Sequence, residues 1–172
     1  MKKFLFCFFS IIITYIMQVS VFTYFEIAGV RPNLLLMITC IIGFTMGSRY
    51  GLLTGFFAGL LVDLMAGSTV GFTALVYMYA GNVNGFFYKD YVKEEILLPM
   101  GLVAASTFIY EFMYYIFYFL LQNKLRLSYY LVRIILPEVI YTVVITLIVY
   151  VFIYFIIRKV EQSKKRRTIT SA

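Results

Sequence analysis

Six long apolar runs, at residues 4–25, 34–46, 51–66, 70–88, 96–121 and 134–157, follow one another with only short polar turns between them. That pattern confines the chain to folds with an apolar outside. About 20 apolar residues cross roughly 30 Å of hydrocarbon as a helix, and a bilayer removes the need to hide apolar surface from water. Composition points the same way: 63% of the 172 residues are apolar and 13% are charged, against about half and about a quarter in soluble domains. The expected fold class is all-α, a polytopic membrane helical bundle of about six transmembrane helices. Residues 1–160 are expected to form this single bundle, and residues 161–172 a basic cytoplasmic tail.

The runs at 34–46 and 51–66 are short for full crossings, so this pair reads either as two spans or as a re-entrant hairpin. A hairpin that enters and leaves on one side leaves the later orientation unchanged. The first run comes after Met1-Lys2-Lys3 and is too long for a signal peptide, with no small-x-small cleavage site behind it. It reads as a retained signal anchor.

Charge then orients the bundle. With six spans and the N-terminus inside, eleven Lys and Arg residues fall on inner segments: Lys2, Lys3, Arg49, Lys89, Lys93, Arg158, Lys159, Lys164, Lys165, Arg166 and Arg167. Four fall outside: Arg31, Lys124, Arg126 and Arg133. The positive-inside rule places both termini in the cytoplasm and the chain in the cytoplasmic membrane. The Lys164–Arg167 cluster reads as attraction to anionic lipid headgroups rather than as a nucleic-acid patch.

The sequence contains no histidine, so the commonest general base and metal ligand is missing. Cys7 and Cys40 lie in apolar runs, far apart, and read as small hydrophobes rather than as a disulfide or metal pair. An intramembrane aspartyl protease needs two membrane aspartates, and only Asp63 qualifies. A rhomboid-type protease needs histidine. No catalytic residue, cofactor or metal is expected.

Glycine spacing is the clearest pattern. Gly43, Gly47, Gly51, Gly55 and Gly59 recur every fourth residue, and Gly81 and Gly85 repeat the spacing. Small residues on one face let membrane helices approach closely. The ladder reads as internal packing, as contact with a partner helix, or as contact with a second copy.

Ionisable and amide groups within apolar runs are costly unless paired, which singles out Asp63, Asn82, Asn84, Glu111, Arg133 and Glu138. Interhelical hydrogen bonding is the plainer reading, with Arg133 and Glu138 pairing near the outer surface. A proton or ion path stepping through Asp63, Glu111 and Glu138 is the sharper one. The aromatic cluster Phe112, Tyr114, Tyr115, Phe117, Tyr118 and Phe119 reads as interface tyrosine and lipid-facing phenylalanine.

One stretch resembles a known family. Arg31-Pro32-Asn33-Leu34-Leu35-Leu36 precedes Gly43-Phe44-Thr45-Met46-Gly47-Ser48-Arg49-Tyr50-Gly51. Gly55-Phe56-Phe57-Ala58-Gly59-Leu60-Leu61-Val62-Asp63 comes next, then Gly67-Ser68 and Gly71-Phe72-Thr73-Ala74-Leu75. This order resembles MreD, the integral membrane component of the bacterial rod-shape (elongation) machinery. Size, span number and basic tail extend the resemblance over most of the chain, with its specificity concentrated in residues 31–75. Near Pro137 the family tends to carry an Asn a few residues on, where this chain has Thr142.

The resemblance implies a non-enzymatic adaptor. Its partners would be an MreC-like bitopic protein with a large extracytoplasmic domain, the MreB filament, and the RodA glycosyltransferase with its penicillin-binding transpeptidase. It also implies a fold similar to the six-helix substrate-binding S components of energy-coupling-factor vitamin transporters. On this reading the face of Gly51, Gly55 and Gly59 forms or supports a groove for the partner's helix, and Asp63 anchors the turn at Gly67-Ser68. Two other functions compete. A vitamin-transporter subunit would carry an Ala-x-x-x-Ala docking face in its first helix, where Ser10 and Thr14 are a poor substitute. A channel would depend on Glu111.

Overall fold

The computed structural model describes residues 2–21, 24, 30–66, 70–90, 97–117, 130–149 and 151. Among the described residues six helices form one bundle: α1 (Lys2–Ser20), α2 (Leu34–Met46), α3 (Ser48–Ala66), α4 (Phe72–Phe86), α5 (Leu97–Tyr115) and α6 (Leu131–Val149). A 3-10 turn, Phe87–Asp90, continues α4, and the first turn of α6, Leu131–Ile135, is π-helical. Among the described residues there is no strand, and the all-α bundle is the expected fold class.

The bundle is built around α2. Pro32 cannot continue a helix backwards, and Asn33 caps α2: its side-chain oxygen accepts from the Leu36 N–H at 3.1 Å. The Leu35 N–H finds a second cap in Gln18 Oε1 at 3.1 Å, at the end of α1. Ten of the thirteen α2 residues are buried, because α1, α3, α4 and α5 all pack against it. Leu35, Leu36, Cys40 and Ile41 of α2 meet Ile11 of α1, Ala58 of α3, Tyr77 of α4, Val103 and Tyr110 of α5, and Ile145 of α6.

Gly47 alone separates α2 from α3, with φ of 98°. The left-handed region is open to glycine without a steric penalty, so the chain reverses in one residue. Ser48, Arg49 and Tyr50 therefore belong to α3 and not to a turn ending the preceding run. Nineteen residues make α3 about 28 Å long and thirteen make α2 about 20 Å. The arms of the hairpin are unequal: α3 is long enough to cross hydrocarbon, and α2 is short and enclosed by its neighbours.

α5 and α6 are individually long and apolar enough to cross a membrane; the apolar stretches Phe4–Ser20 of α1 and Leu34–Met46 of α2 are shorter. α3 and α4 are less apolar because they carry the glycines and polar groups of their shared interface. That interface is the closest in the molecule. A Cβ added to Gly59 would lie 2.5 Å from the Ala74 Cα, and one on Gly55 would lie 2.5 Å from the Tyr77 carbonyl carbon. Both neighbours are backbone and cannot turn aside.

Polarity is inverted relative to a soluble domain. Asp63, Thr39, Thr107, Thr142 and Thr146 are fully enclosed, whereas Phe4, Phe8, Leu64, Met65, Leu75, Tyr79, Ile109, Val132, Ile140 and Ile148 stand on the outside. The buried threonines Thr39, Thr107 and Thr146 each donate to the carbonyl four residues back, at 2.6–2.9 Å. Contiguous apolar surface of this extent would be adhesive in water.

Candidate functional site: a polar cavity at one end of the bundle

Consecutive helices run in opposite directions, so the ends of α1, α3 and α5 meet the starts of α2, α4 and α6. A cavity of about 570 Å³ lies among them, lined by Gln18, Arg31, Asn33, Val62, Tyr77, Tyr110, Glu111 and Glu138, together with Val30, Pro32 and Ile134. Each wall residue is fixed by the fold. Asn33 is the hub. Its side-chain oxygen accepts from the Tyr77 hydroxyl at 2.7 Å as well as from Leu36. Its own N–H donates to Thr142 Oγ1 at 3.1 Å. One residue thus ties the start of α2 to α4 and α6. Thr142, in the position where an amide was expected, bonds across helices through its hydroxyl. The Tyr77 and Tyr110 rings pack edge to face, centroids 5.1 Å apart, and close the cavity floor.

Glu111 and Glu138 come together here. Both line the cavity; Glu111 is buried and Glu138 half-buried. The walls can therefore present carboxyl and amide groups and phenolic hydroxyls to an entering group. Among the described residues no set of three or more His, Cys, Asp or Glu side chains is arranged to hold a metal.

The remaining polar residues singled out in the sequence lie elsewhere. Asp63 is fully buried and accepts from the backbone N–H groups of Gly71, Thr73 and Ala74 at 2.8, 3.2 and 3.1 Å. Gly71 cannot cap α4 with a side chain, so the α3 carboxylate does so, where the helix dipole favours negative charge. The turn at Gly67-Ser68 lies outside the described residues, as do Lys93, Tyr118, Phe119, Lys124, Arg126 and the basic tail. Asn84 donates to the Ala80 carbonyl at 2.7 Å and to Ser106 Oγ at 2.8 Å, linking α4 to α5. Asn82 is half-buried and accepts from the Ser48 hydroxyl. Both lie towards the opposite end of the bundle. Arg133 is exposed, a correction to its expected burial. Ile135, two residues on, faces the core, and two residues turn a helix through about half a circle.

Every glycine of the ladder except Gly47 approaches a neighbouring helix within the chain. Gly51 meets Gly81, Gly55 meets Tyr77, Gly59 meets Ala74, Gly85 meets Ser48 and Gly43 meets Gly81. The helix lying against the face of Gly51, Gly55 and Gly59 is the chain's own α4. The aromatic cluster also packs internally: Phe117 lies 4.9 Å from Phe72 and Tyr115 lies 5.0 Å from Tyr130, centroid to centroid.

Sequence reasoning missed Asn33, Tyr77 and Gln18 as site residues. A helix-start signal was available for the first, since Pro-Asn before an apolar run marks an N-cap. Nothing local sets Tyr77 apart among the 16 tyrosines.

A family model described as rod shape-determining protein MreD matches residues 1–160. No curated protein and no solved structure matches the chain.

Proposed function

The chain belongs to the MreD family of rod shape-determining proteins, and from that premise we propose that it is a multi-pass, non-enzymatic adaptor of the bacterial elongation complex. The family is a membrane component of the shape-determining system that includes MreB and MreC. On this reading both termini are cytoplasmic. The basic tail meets anionic lipid, and the polar cavity opens on the outer face. An MreC-like bitopic protein continues into an extracytoplasmic domain on that same side. The cavity receives a segment of this partner close to the membrane, and the complex places wall-synthesis enzymes of the RodA and penicillin-binding type beside it.

The observation that carries the reading is the cavity itself. Six helices converge on it, and its carboxyl groups are too costly in an apolar bundle to serve as filler. The test is a gentle-detergent pull-down of the tagged chain from its native cells, with mass spectrometry of what is retained. A bitopic protein with an extracytoplasmic domain should come down with the wild-type chain and be reduced by Glu138→Arg. Unchanged recovery with that substitution would remove the cavity from the interface.

The same cavity favours a second reading, a substrate-binding subunit of a vitamin transporter. A small molecule surviving purification, together with retained ATPases and a coupling subunit, would establish it in place of the adaptor.

A further inference from the structure

The bundle closes to backbone contact at its glycines, where a Cβ on Gly59 would lie 2.5 Å from the Ala74 Cα. A space of about 570 Å³ left open at one end is therefore not loose packing. It falls within the range of small-ligand pockets, about 300–1,000 Å³. Its walls are braced, since Asn33 ties the start of α2 to Tyr77 on α4 and to Thr142 on α6, at 2.7 and 3.1 Å. The cavity is formed before anything enters it.

Charge varies with depth in this space. Glu111 on α5 is 6% exposed, and Glu138 on α6 is half-buried. Among the described lining residues the one cation is Arg31, and it is exposed. The inner wall thus carries carboxyl groups and the rim a guanidinium. The Tyr77 hydroxyl spends its hydrogen on Asn33, so its oxygen meets an entering group only as an acceptor. Acceptors are supplied by α4, α5 and α6, three elements rather than one edge. An ammonium has three divergent N–H donors, whereas a guanidinium is a planar fork suited to a single carboxylate. Among the described residues no third His, Cys, Asp or Glu joins the pair to hold a metal ion. The Tyr77 and Tyr110 rings favour an organic cation. Val30, Val62 and Ile134 complete the lining and suit an alkyl stem behind the charge. An apolar stem with an ammonium tip is a lysine side chain.

We infer that the cavity binds the ammonium of a lysine side chain, held by Glu111, Glu138 and the Tyr77 oxygen, with Arg31 outside it at the rim. The inference rests on the reading of the cavity as the adaptor's recognition site and adds the chemistry that is recognised. Charge complementarity selects the tip, and the apolar part of the wall selects the stem.

The test unfolds the full chain by heat, purified in mild detergent without partner, in butylamine, butanol or butyrate. Ionic strength is held equal with sodium chloride. Butylamine reproduces the lysine stem and its ammonium; the other two keep the stem and change the charge. Butylamine alone should raise the unfolding temperature, as a ligand of the folded chain does. Glu138→Gln should weaken butylamine binding at least about tenfold, the loss of one hydrogen bond to a charged group. Asp63→Asn, away from the cavity, should leave that binding unchanged. In membranes from native cells a carbodiimide joins a carboxyl group to an amine held against it. It should leave Glu111 or Glu138 attached to a lysine-bearing peptide of another protein. Equal shifts with butanol, a shift with butyrate instead, or a butylamine shift that survives both glutamine substitutions together would overturn the ammonium site. An adduct with an amine lipid or a free amine would overturn lysine as the carrier. Each of these leaves the adaptor standing where Glu138→Arg still lowers retention of a bitopic protein. A chain that binds butylamine and retains no bitopic protein would overturn the adaptor and leave the ammonium site.

Discussion

The Tyr77 hydroxyl donates to the Asn33 side-chain oxygen at 2.7 Å, and the same oxygen caps α2 through the Leu36 N–H. A helix start and a cavity wall thus depend on one atom. Tyr77→Phe removes one donor and leaves the cap intact, so it should cost about 1 kcal/mol. Asn33→Ala removes the cap, worth about 0.5–2 kcal/mol, and strands the buried Tyr77 hydroxyl as well. It should therefore cost more than Tyr77→Phe. The double variant should cost less than the sum, because the stranded hydroxyl is gone. Thermal unfolding of the four proteins in one detergent measures the coupling, and strict additivity would show that the two groups act independently.

Asp63 replaces a missing side-chain cap across a chain connection. Three N–H groups at the start of α4 converge on its two oxygens, and the side chain is fully buried. Asp63→Ala should cost about 2 kcal/mol or more, as charge-assisted bonds and a favourable helix-dipole contact are lost together. Asp63→Asn keeps one acceptor and should recover part of the loss. Hydrogen exchange at residues 71–74 should accelerate first, while exchange in α2 should change little. Uniform acceleration would mean that Asp63 supports the whole bundle.

The glycine interface separates two kinds of glycine. Gly59→Ala puts a methyl group 2.5 Å from the Ala74 Cα, so α3 and α4 must move apart, at about 1–3 kcal/mol for overpacking. A Cβ on Gly101 of α5 meets nothing within 4 Å, and alanine there should stabilise by up to about 1 kcal/mol through helix propensity. Opposite shifts in unfolding temperature are expected. A Gly59→Ala protein as stable as wild type would mean that α4 relaxes without cost.

The helices were legible from the apolar runs, since short polar turns cannot lie inside a membrane-type bundle and must mark the ends. Their boundaries were less so. Gly47 looked like part of a four-residue turn, yet a single left-handed glycine makes the whole reversal, and the three residues after it are helical. Glu111 and Glu138 stood out because carboxyl groups are rare in apolar runs, but their meeting across 26 intervening residues is a tertiary fact that no local pattern encodes. Arg133 stood out for the same reason and lies on the outer face, because intrinsic cost marks a residue without giving its direction. Asn33 was quoted only as part of a motif. Its place at the centre of the cavity depends on Thr142 and Tyr77, which are 109 and 44 residues away.

The carboxyl pair gives the last prediction. Glu111 on α5 and Glu138 on α6 face the same cavity, and Glu111 is buried. Glu111→Gln keeps a polar end of the same shape that can still hydrogen-bond, so unfolding should stay within about 1 kcal/mol of wild type. Glu111→Leu has nearly the same volume and no hydrogen-bonding group. It leaves the polar groups around the cavity without that partner, and should cost about 1–3 kcal/mol. The ratio between the two variants is the diagnostic quantity, because a purely steric role for Glu111 would make them equal. Thermal unfolding in detergent measures it directly. Partner retention then separates structure from recognition: a Glu111→Gln chain that is stable but retains less partner would show that the charge itself meets the partner.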